Sequence, residues 1–574
     1  MIKIYLSVLI NIIILNISFG QEIISGTQYP FPNFRSPLNI NPPSNAGSFG
    51  ELRAQHFHTG VDFGTNKVEG HPVFAVEDGY ISRIRIQSGG LGYSIYINHP
   101  NGYTSVYAHL QKFTPSLNSR VKSEQYKIKS YEVDLKPKAH ELQITKGTLI
   151  GYSGNTGSSV GPHLHFEIRD TKSEEPINPN FFGIKVADNV KPTISGLYIY
   201  ELNGKPFTEA TPKIAYSVIG QNGVYTLKSN SEINIFGEIG FGIIATDKHS
   251  GISGLNGVYS VILEVDNEIV FKSIFERLNF NYSRSLFSYI DYPLKIKSGI
   301  TVQKSFKDPG NPAEIFGNLI NNGRLNFTDG KIHQIKYTVL DASGNKSTLN
   351  FKINAKQSNQ PLKKITPDSE ERIFYFDKKN EFITPNVKVQ LSENSLFDNI
   401  NFQYKTKSIP NNSFFSVIHS IHNLLTPVFK AFDLSIKPDA SIGEFLNKAV
   451  IVNSKGVSQG GTIEGEFIKA SVKLFDDFAI KIDTIAPTVT PLNISEGKNM
   501  KGISKISLKI KDNLSGIKNY NGYIDGNWVL MEYDAKSTNI WHVFDKLSPG
   551  KHKFELVVED MKGNIKFYTV NFIR

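Results

Sequence analysis

The chain of 574 residues contains no cysteine. That excludes disulfide frameworks, thiolate zinc fingers, iron–sulfur clusters and cysteine nucleophiles, so any metal site must be built from His, Asp and Glu. Methionine (4) and tryptophan (2) are scarce, whereas Phe (39), Tyr (25) and Gly (46) are plentiful, which favours strands and turns over helical bundles. No run of five like charges occurs, and a net charge of +10 is mild at this length. No nucleic-acid partner is therefore expected; weak attraction to an anionic envelope is the simplest use of the charge. Beyond the first 20 residues no stretch has the roughly 18 unbroken apolar residues of a membrane span.

What is present begins with MIKIYLSVLINIIILNISFG, residues 1–20: one early Lys, an apolar stretch, then small residues. This is the layout of a secretory signal peptide cleaved near Gly20, with an uncleaved anchor as the other reading. The absence of cysteine rules out a lipid anchor there. The mature chain is expected to be exported, without a transmembrane segment, to the periplasm, cell envelope or extracellular space. Its length calls for roughly three to five domains.

Residues 21–50, rich in Pro, Asn and Ser, read as an extended lead-in. From 51 to 185, short alternating runs such as Tyr93–Ile97 and Thr104–Tyr107 read as antiparallel strands, with an insertion at about 111–146. Downstream an internal repeat is visible. DNVKPTISGLYIY (188–200) parallels DTIAPTVTPLNIS (483–495), ATDKHSGISG (245–254) parallels IKDNLSGIKN (510–519), and YTVLDASGNKSTLNFKIN (337–354) parallels LVVEDMKGNIKFYTVNFI (556–573). These units suggest immunoglobulin-like β-sandwiches at 186–356, with an insertion around 275–330, and at 483–574. Between them, 357–482 reads as a third β module with a helical candidate near Phe414–Phe432. The expected fold is mainly β.

Eight of the 14 histidines fall at positions 56, 58, 71, 99, 109, 140, 163 and 165. In HFHTGVDFG (56–64), His58 and Asp62 offer an imidazole and a carboxylate, both good zinc ligands, although H-x-x-x-D alone is weak. In GPHLHFEIR (161–169), His163 and His165 alternate and so share one face of a strand. Both can bind metal, one can bind while the other acts on substrate, or both can sit on a solvated face. VYAHL (106–110) puts His109 at a strand end.

Taken in order, HxGxD, YAHL and the Gly-rich SGNTGSSVGPHLHFE resemble the catalytic domain of the LytM/lysostaphin-type zinc metallopeptidases, which cut peptide cross-links in bacterial cell walls. The likeness covers about residues 50–182 and departs from the family in the long stretch between His109 and Lys146. It implies an antiparallel-sheet domain holding one Zn2+ on His58, Asp62 and His165. His109 and His163 would stand beside the metal as catalytic histidines, one taking a proton from water and the other assisting the leaving amine or the oxyanion. The resemblance does not say which does which.

Other residues have plainer readings. His56 is expected to be outside the ligand set, and His71 and His99, beside prolines, to be structural; His140 lies in the insertion. Tyr93, Tyr96 and Tyr107 can pack the core or wall a groove. Arg53 can hold a peptide carboxylate, but an internal ion pair is the simpler use. Gly147, Gly151, Gly154, Gly157 and Gly161 lack the G-K-[ST] of a phosphate loop and are read as turns and a groove floor. The resemblance thus implies an exported zinc metalloendopeptidase acting on peptidoglycan. The alternative is a non-enzymatic wall-binding or hydrolase-activating envelope protein, and an adhesin built on the sandwiches is a third reading. The β modules, read as spacers or a lid, can also meet other envelope proteins. An Asn or Asp from 22–50 can in addition block the metal and make the enzyme latent.

Overall fold

The computed structural model describes residues 34–40, 45–184, 188–229, 232–249, 254–356, 372–408, 413–545 and 547–574. The expected signal peptide lies outside these residues, as does most of the segment to which latency was ascribed. Within that segment's described part, the Asn39 side chain accepts a hydrogen bond from Arg35.

The fold is mainly β. One antiparallel sheet organises residues 45–177, in the order Asn45–Gly47, Val61–Gly64, His163–Asp170, Tyr103–Leu110, Tyr93–Asn98, Gly79–Ile86, Val133–Leu135. The central strand Tyr103–Leu110 is buried at every residue but its first, because elements cover both of its faces. A small second sheet of Pro72–Phe74, Leu149–Tyr152 and Lys112–Phe113 packs beside it. The expected insertion is built into this unit. Pro115–Ile128 is a helix that starts with Pro in its first turn, ends on Lys129 in the left-handed region, and buries Leu117, Val121 and Gln125 along one stripe. Val133–Leu135 and Gln143–Ile144 then extend the sheet at Gly79–Ile86.

Residues 193–354 form a second β unit around the hairpin Ile332–Leu340/Lys346–Asn354. Its insertion carries the helices Leu286–Tyr289 and Tyr292–Ser298. This unit shares a core with the first: Phe57 packs on Phe275 and Tyr289, with ring centroids 5.4 and 6.1 Å apart. Each such aromatic pair contributes about 0.5–1.5 kcal/mol beyond its buried area. The segment flanking His58 is thereby braced by the next module.

Residues 372–482 hold a five-stranded and a four-stranded sheet around their own core. The helix expected near Phe414–Phe432 is absent. Ile418–Ile421 is instead a strand with alternating burial, Pro427 interrupts any helical run, and Phe432 opens a central strand. Residues 488–573 likewise form a four- and a five-stranded sheet on one core. Within the extended lead-in, Asn45–Gly47 is an edge strand paired with Val61–Gly64.

The C-terminal module folds back onto the first sheet's unit. Trp528 meets Tyr126 edge-on at 5.3 Å, Lys122 pairs with Asp545, and the Lys536 ammonium donates to the carbonyls of Asn155 and Ser159.

Candidate metal centre

The sheet register assembles the centre. Asp62 lies directly opposite His165 in the ladder between Val61–Gly64 and His163–Asp170, and period-two alternation puts His163 on the same face. On the other side of His165, its ladder partner is Ala108, so His109 follows at the edge of the site. His109 has φ 56°, in the left-handed region where a non-glycine residue is uncommon, and its amide bonds to the Leu91 carbonyl. This turn takes His109 out of the strand's alternation.

His58 arrives from the loop before the sheet. Its Nδ1 donates to the Ser48 carbonyl at 2.7 Å, and the Ser48 hydroxyl is bonded to the backbone of Gly257 in the next module. The Nε2 of His58 is left to face the centre. His165 is held the same way: its Nε2 donates to Glu167 at 2.9 Å, leaving Nδ1 for the centre. The three facing atoms form a triangle. His58 Nε2 to His165 Nδ1 is 3.0 Å, His58 Nε2 to Asp62 Oδ1 is 3.1 Å, and His165 Nδ1 to Asp62 Oδ1 is 2.9 Å. Zinc bonds of about 2.0–2.1 Å set tetrahedral edges of about 3.3 Å, so this two-nitrogen, one-oxygen set fits zinc with little adjustment. All three side chains are buried.

His109 and His163 complete the arrangement, their rings 4.9 Å apart. The Nδ1 of His109 donates to the Thr156 carbonyl and that of His163 to the Gly161 carbonyl, each at 2.8 Å. In both, a carbonyl partner fixes the proton on Nδ1 and leaves Nε2 as the basic nitrogen. His163 Nε2 is buried with no hydrogen-bond partner, 3.5 Å from Asp62 Oδ1. Burial, reinforced by the imidazoles of His165 and His163, lowers His109 to about 3. Burial also lowers His163. Burial works against ionising Asp62, but His58 and His165 outweigh it and hold its carboxyl well below the ordinary range.

Two residues support the ligands, and one of them, Glu167, has no assignment from the sequence. Glu167 is buried beneath His165, accepts from Thr59 at 2.7 Å and pairs with Arg169 at 2.6 Å. Burial opposes its charge, yet chiefly Arg169 draws its pKa down to about 2. The signal was in the alternation: His163, His165, Glu167 and Arg169 share one strand face. Arg53, read as an ion-pair residue, grips the other oxygen of Asp62 at 2.6 Å and so turns Oδ1 toward the histidines. Outer partners of this kind are worth about 10–100-fold in metal affinity. Glu167→Gln is expected to weaken zinc binding by about that factor while leaving one site per chain, as read by competition with a chromophoric chelator.

The glycine of HxGxD has a steric reason. A Cβ on Gly60 would lie 2.4 Å from the Phe166 carbonyl oxygen and 2.9 Å from His165 Cε1. Gly60→Ala is expected to destabilise the fold by about 1–3 kcal/mol and to displace His165, lowering both the denaturation midpoint and the zinc content.

The remaining candidates fall elsewhere. His56 and His140 are exposed and outside the cluster. His99 is satisfied by the Asp78 carbonyl and Ser105 at 2.8 Å each, a structural role. His71 lies outside the metal cluster. Tyr107 is fully buried and its hydroxyl accepts from the Val76 amide. Tyr96 is buried and stacks with Arg83 and Arg169.

Residues 56–127 and 131–179 match the family model described as Peptidase family M23, and residues 371–483 match that of a Zu5-like domain. Over 128 residues the chain is 33% identical to the DD-carboxypeptidase/endopeptidase Mpg of Neisseria meningitidis serogroup B, covering 22% of this chain and 23% of that protein. Over 140 residues it is 30% identical to the peptidoglycan DD-endopeptidase ShyC of Vibrio cholerae, covering 23% of this chain and 26% of that protein. The catalytic domain of lysostaphin from Staphylococcus simulans aligns at 25% identity with a TM-score of 0.20, covering 25% of this chain and 95% of that domain. The chain thus spans about a quarter of the length of these two curated relatives.

Proposed function

Because the chain carries a peptidase domain of family M23, we propose that it is an exported zinc metalloendopeptidase that hydrolyses peptide cross-links or stem peptides of peptidoglycan. The observation that carries this reading is the His58–Asp62–His165 triangle with two basic imidazole nitrogens, those of His109 and His163, beside it. Relatives named as peptidoglycan endopeptidases support the substrate class. No helix among the described residues is long and apolar enough to cross a membrane, and the N-terminal 20 residues carry the layout of an export signal.

His58, Asp62 and His165 would hold the metal, which when bound supplies Lewis acidity for the scissile carbonyl and lowers the pKa of a water to about 7. The chain's own groups do the rest. Arg53 and Glu167 fix the ligand atoms before substrate arrives, so little reorganisation is needed. Neutral His109 and His163 each present an unprotonated Nε2 at the centre. One accepts the proton of the attacking water, and an imidazolium so formed can donate to the amine nitrogen as the C–N bond breaks. The pair can also stabilise charge developing on the carbonyl oxygen. The products are a free carboxylate and a free amine.

Conversion of purified cross-linked muropeptide dimers into monomers by the mature chain tests the assignment. Dimers that stay intact with the full chain carrying a full equivalent of zinc would contradict the assignment and favour a wall-binding protein.

A further inference from the structure

The internal repeat carries a second constellation, built from residues that the metal centre does not use. Each copy places an aspartate at its three matching landmarks: Asp188, Asp247 and Asp341 in the first, Asp483, Asp512 and Asp560 in the second. Folding gathers all three in the second copy; in the first it gathers two of them with His249, and Asp341 adjoins Asp247. In the first copy Asp188, Asp247 and His249 present ligand atoms within 4.8 Å of one another, and in the second Asp483, Asp512 and Asp560 do the same.

The surroundings are repeated too. Asn345 donates its amide to Asp341 Oδ1 at 2.8 Å and its side chain to Asp341 Oδ2 at 2.7 Å and to the Asp188 carbonyl at 3.1 Å. Asn564 makes the same three bonds, to Asp560 Oδ1 at 2.9 Å, Asp560 Oδ2 at 2.7 Å and the Asp483 carbonyl at 2.9 Å. The hairpin asparagine thus clamps one aspartate and the chain entry in both units, leaving the D-x-x-S-G-I aspartate to face them.

That aspartate keeps one carboxylate oxygen without a hydrogen-bond partner in both units. Asp247 is only 2% exposed, its Oδ1 has no hydrogen-bond partner, and it faces the carboxylates of Asp188 and Asp341. Asp512 is half-buried; its Oδ2 accepts from the Leu514 and Gly516 amides, while its Oδ1 has no partner. Among the described residues, neither Asp247 nor Asp341 forms an ion pair with Lys or Arg; His249 lies 3.9 Å from Asp247 and 3.5 Å from Asp188, and burial lowers its pKa. In the second copy Lys562 lies in the field of Asp483 and Asp560, but its ammonium donates to the Gly461 carbonyl. Burying several carboxylates together is costly unless a cation answers them.

We propose that each repeat binds one hard divalent cation of the calcium class, on Asp188 and Asp247, flanked by His249 and Asp341, in the first unit and on Asp483, Asp512 and Asp560 in the second. Carboxylate oxygens are the ligands such cations take, and sites in extracellular modules bind calcium with dissociation constants of about 10⁻⁴–10⁻³ M. Both sites stand where one module passes to the next, at 188 after the peptidase domain and at 483 after the preceding β unit. There the Asp483 amide bonds to the Lys448 carbonyl, and Lys448 reaches Asn564. A cation at the second site would stiffen the base of the module whose Lys536 touches the loop at Asn155 and Ser159.

The test is calcium titration of the zinc-loaded full chain by calorimetry, alongside thermal unfolding with and without calcium. The wild-type chain is expected to bind two equivalents and to melt higher with calcium. Asp247→Asn and Asp512→Asn are each expected to remove one equivalent and the double variant both, with zinc content unchanged as the check on folding. No binding by the wild-type chain at millimolar calcium would overturn the proposal. So would two equivalents retained by properly folded, zinc-loaded single variants.

Discussion

Asp62→Ala is expected to remove zinc and hydrolysis together, with activity falling by at least about 10³-fold, since the metal's effect on water acidity spans many pKa units. The expectation follows from the triangle. Asp62 Oδ1 is within 3.1 Å of both His58 Nε2 and His165 Nδ1, so deleting it removes one corner and leaves two neutral ligands. It also leaves the Arg53 guanidinium, which now binds Asp62 Oδ2 at 2.6 Å, with Glu51 at 3.4 Å as its remaining partner beside an open metal position. Cation repulsion is thus added to ligand loss. His58→Ala should behave alike, because the anchor from Ser48 serves no other side chain of the centre. Elemental analysis and hydrolysis assays on the same preparation check both variants. Retention of a full equivalent of zinc by Asp62→Ala would remove that residue from the ligand set.

His109→Ala separates chemistry from metal binding. Its ring lies 4.9 Å from that of His163 and 5.7 Å from that of His165, but no distance within the ligand triangle involves it. Zinc content is therefore expected to stay at one per chain while kcat falls by about 10²–10⁴-fold, the usual contribution of a positioned acid–base group. The backbone needs its own control, since residue 109 sits at φ 56° and alanine tolerates that region poorly. Asparagine is at home there and keeps a polar side chain without the imidazole's basicity. Loss of turnover in His109→Asn, with zinc and melting temperature preserved, assigns the effect to proton transfer. Near-wild-type turnover in a zinc-loaded His109→Ala would end that role.

How much of this was legible beforehand depended on the distance over which the information acts. HxGxD and HLH could be read because ligand spacing and strand alternation are local, and the structure does bring His58, Asp62, His109, His163 and His165 together. Glu167 was equally local but was passed over, since a glutamate in an alternating strand has no chemistry until its neighbour is known to need an acceptor. The helix Pro115–Ile128 carried a readable stripe of Leu117, Val121 and Gln125 that its charged residues obscured. Near Phe414–Phe432 the error ran the other way: apolar residues suggested a helix, and pairing of Ile418–Ile421 with residues 404–407 and 477–478 decided for strand. The anchoring of His58 through Ser48 and Gly257, and the contact of Lys536 with Asn155 and Ser159, join residues more than 200 apart, and no pattern along the chain announces them. The repeat was visible in sequence, but the clustering of its aspartates, with His249 joining in the first copy, was not.

The central claim is that zinc held by His58, Asp62 and His165 supports peptidoglycan hydrolysis. It is tested most directly by stripping the mature wild-type chain with a chelator, returning zinc stepwise and following cleavage of a purified cross-linked muropeptide. Activity is expected to vanish on stripping and to return in proportion to zinc, saturating at one equivalent per chain. Cleavage that persists in the metal-free chain, or that fails to return when a full equivalent of zinc has bound, would contradict the account.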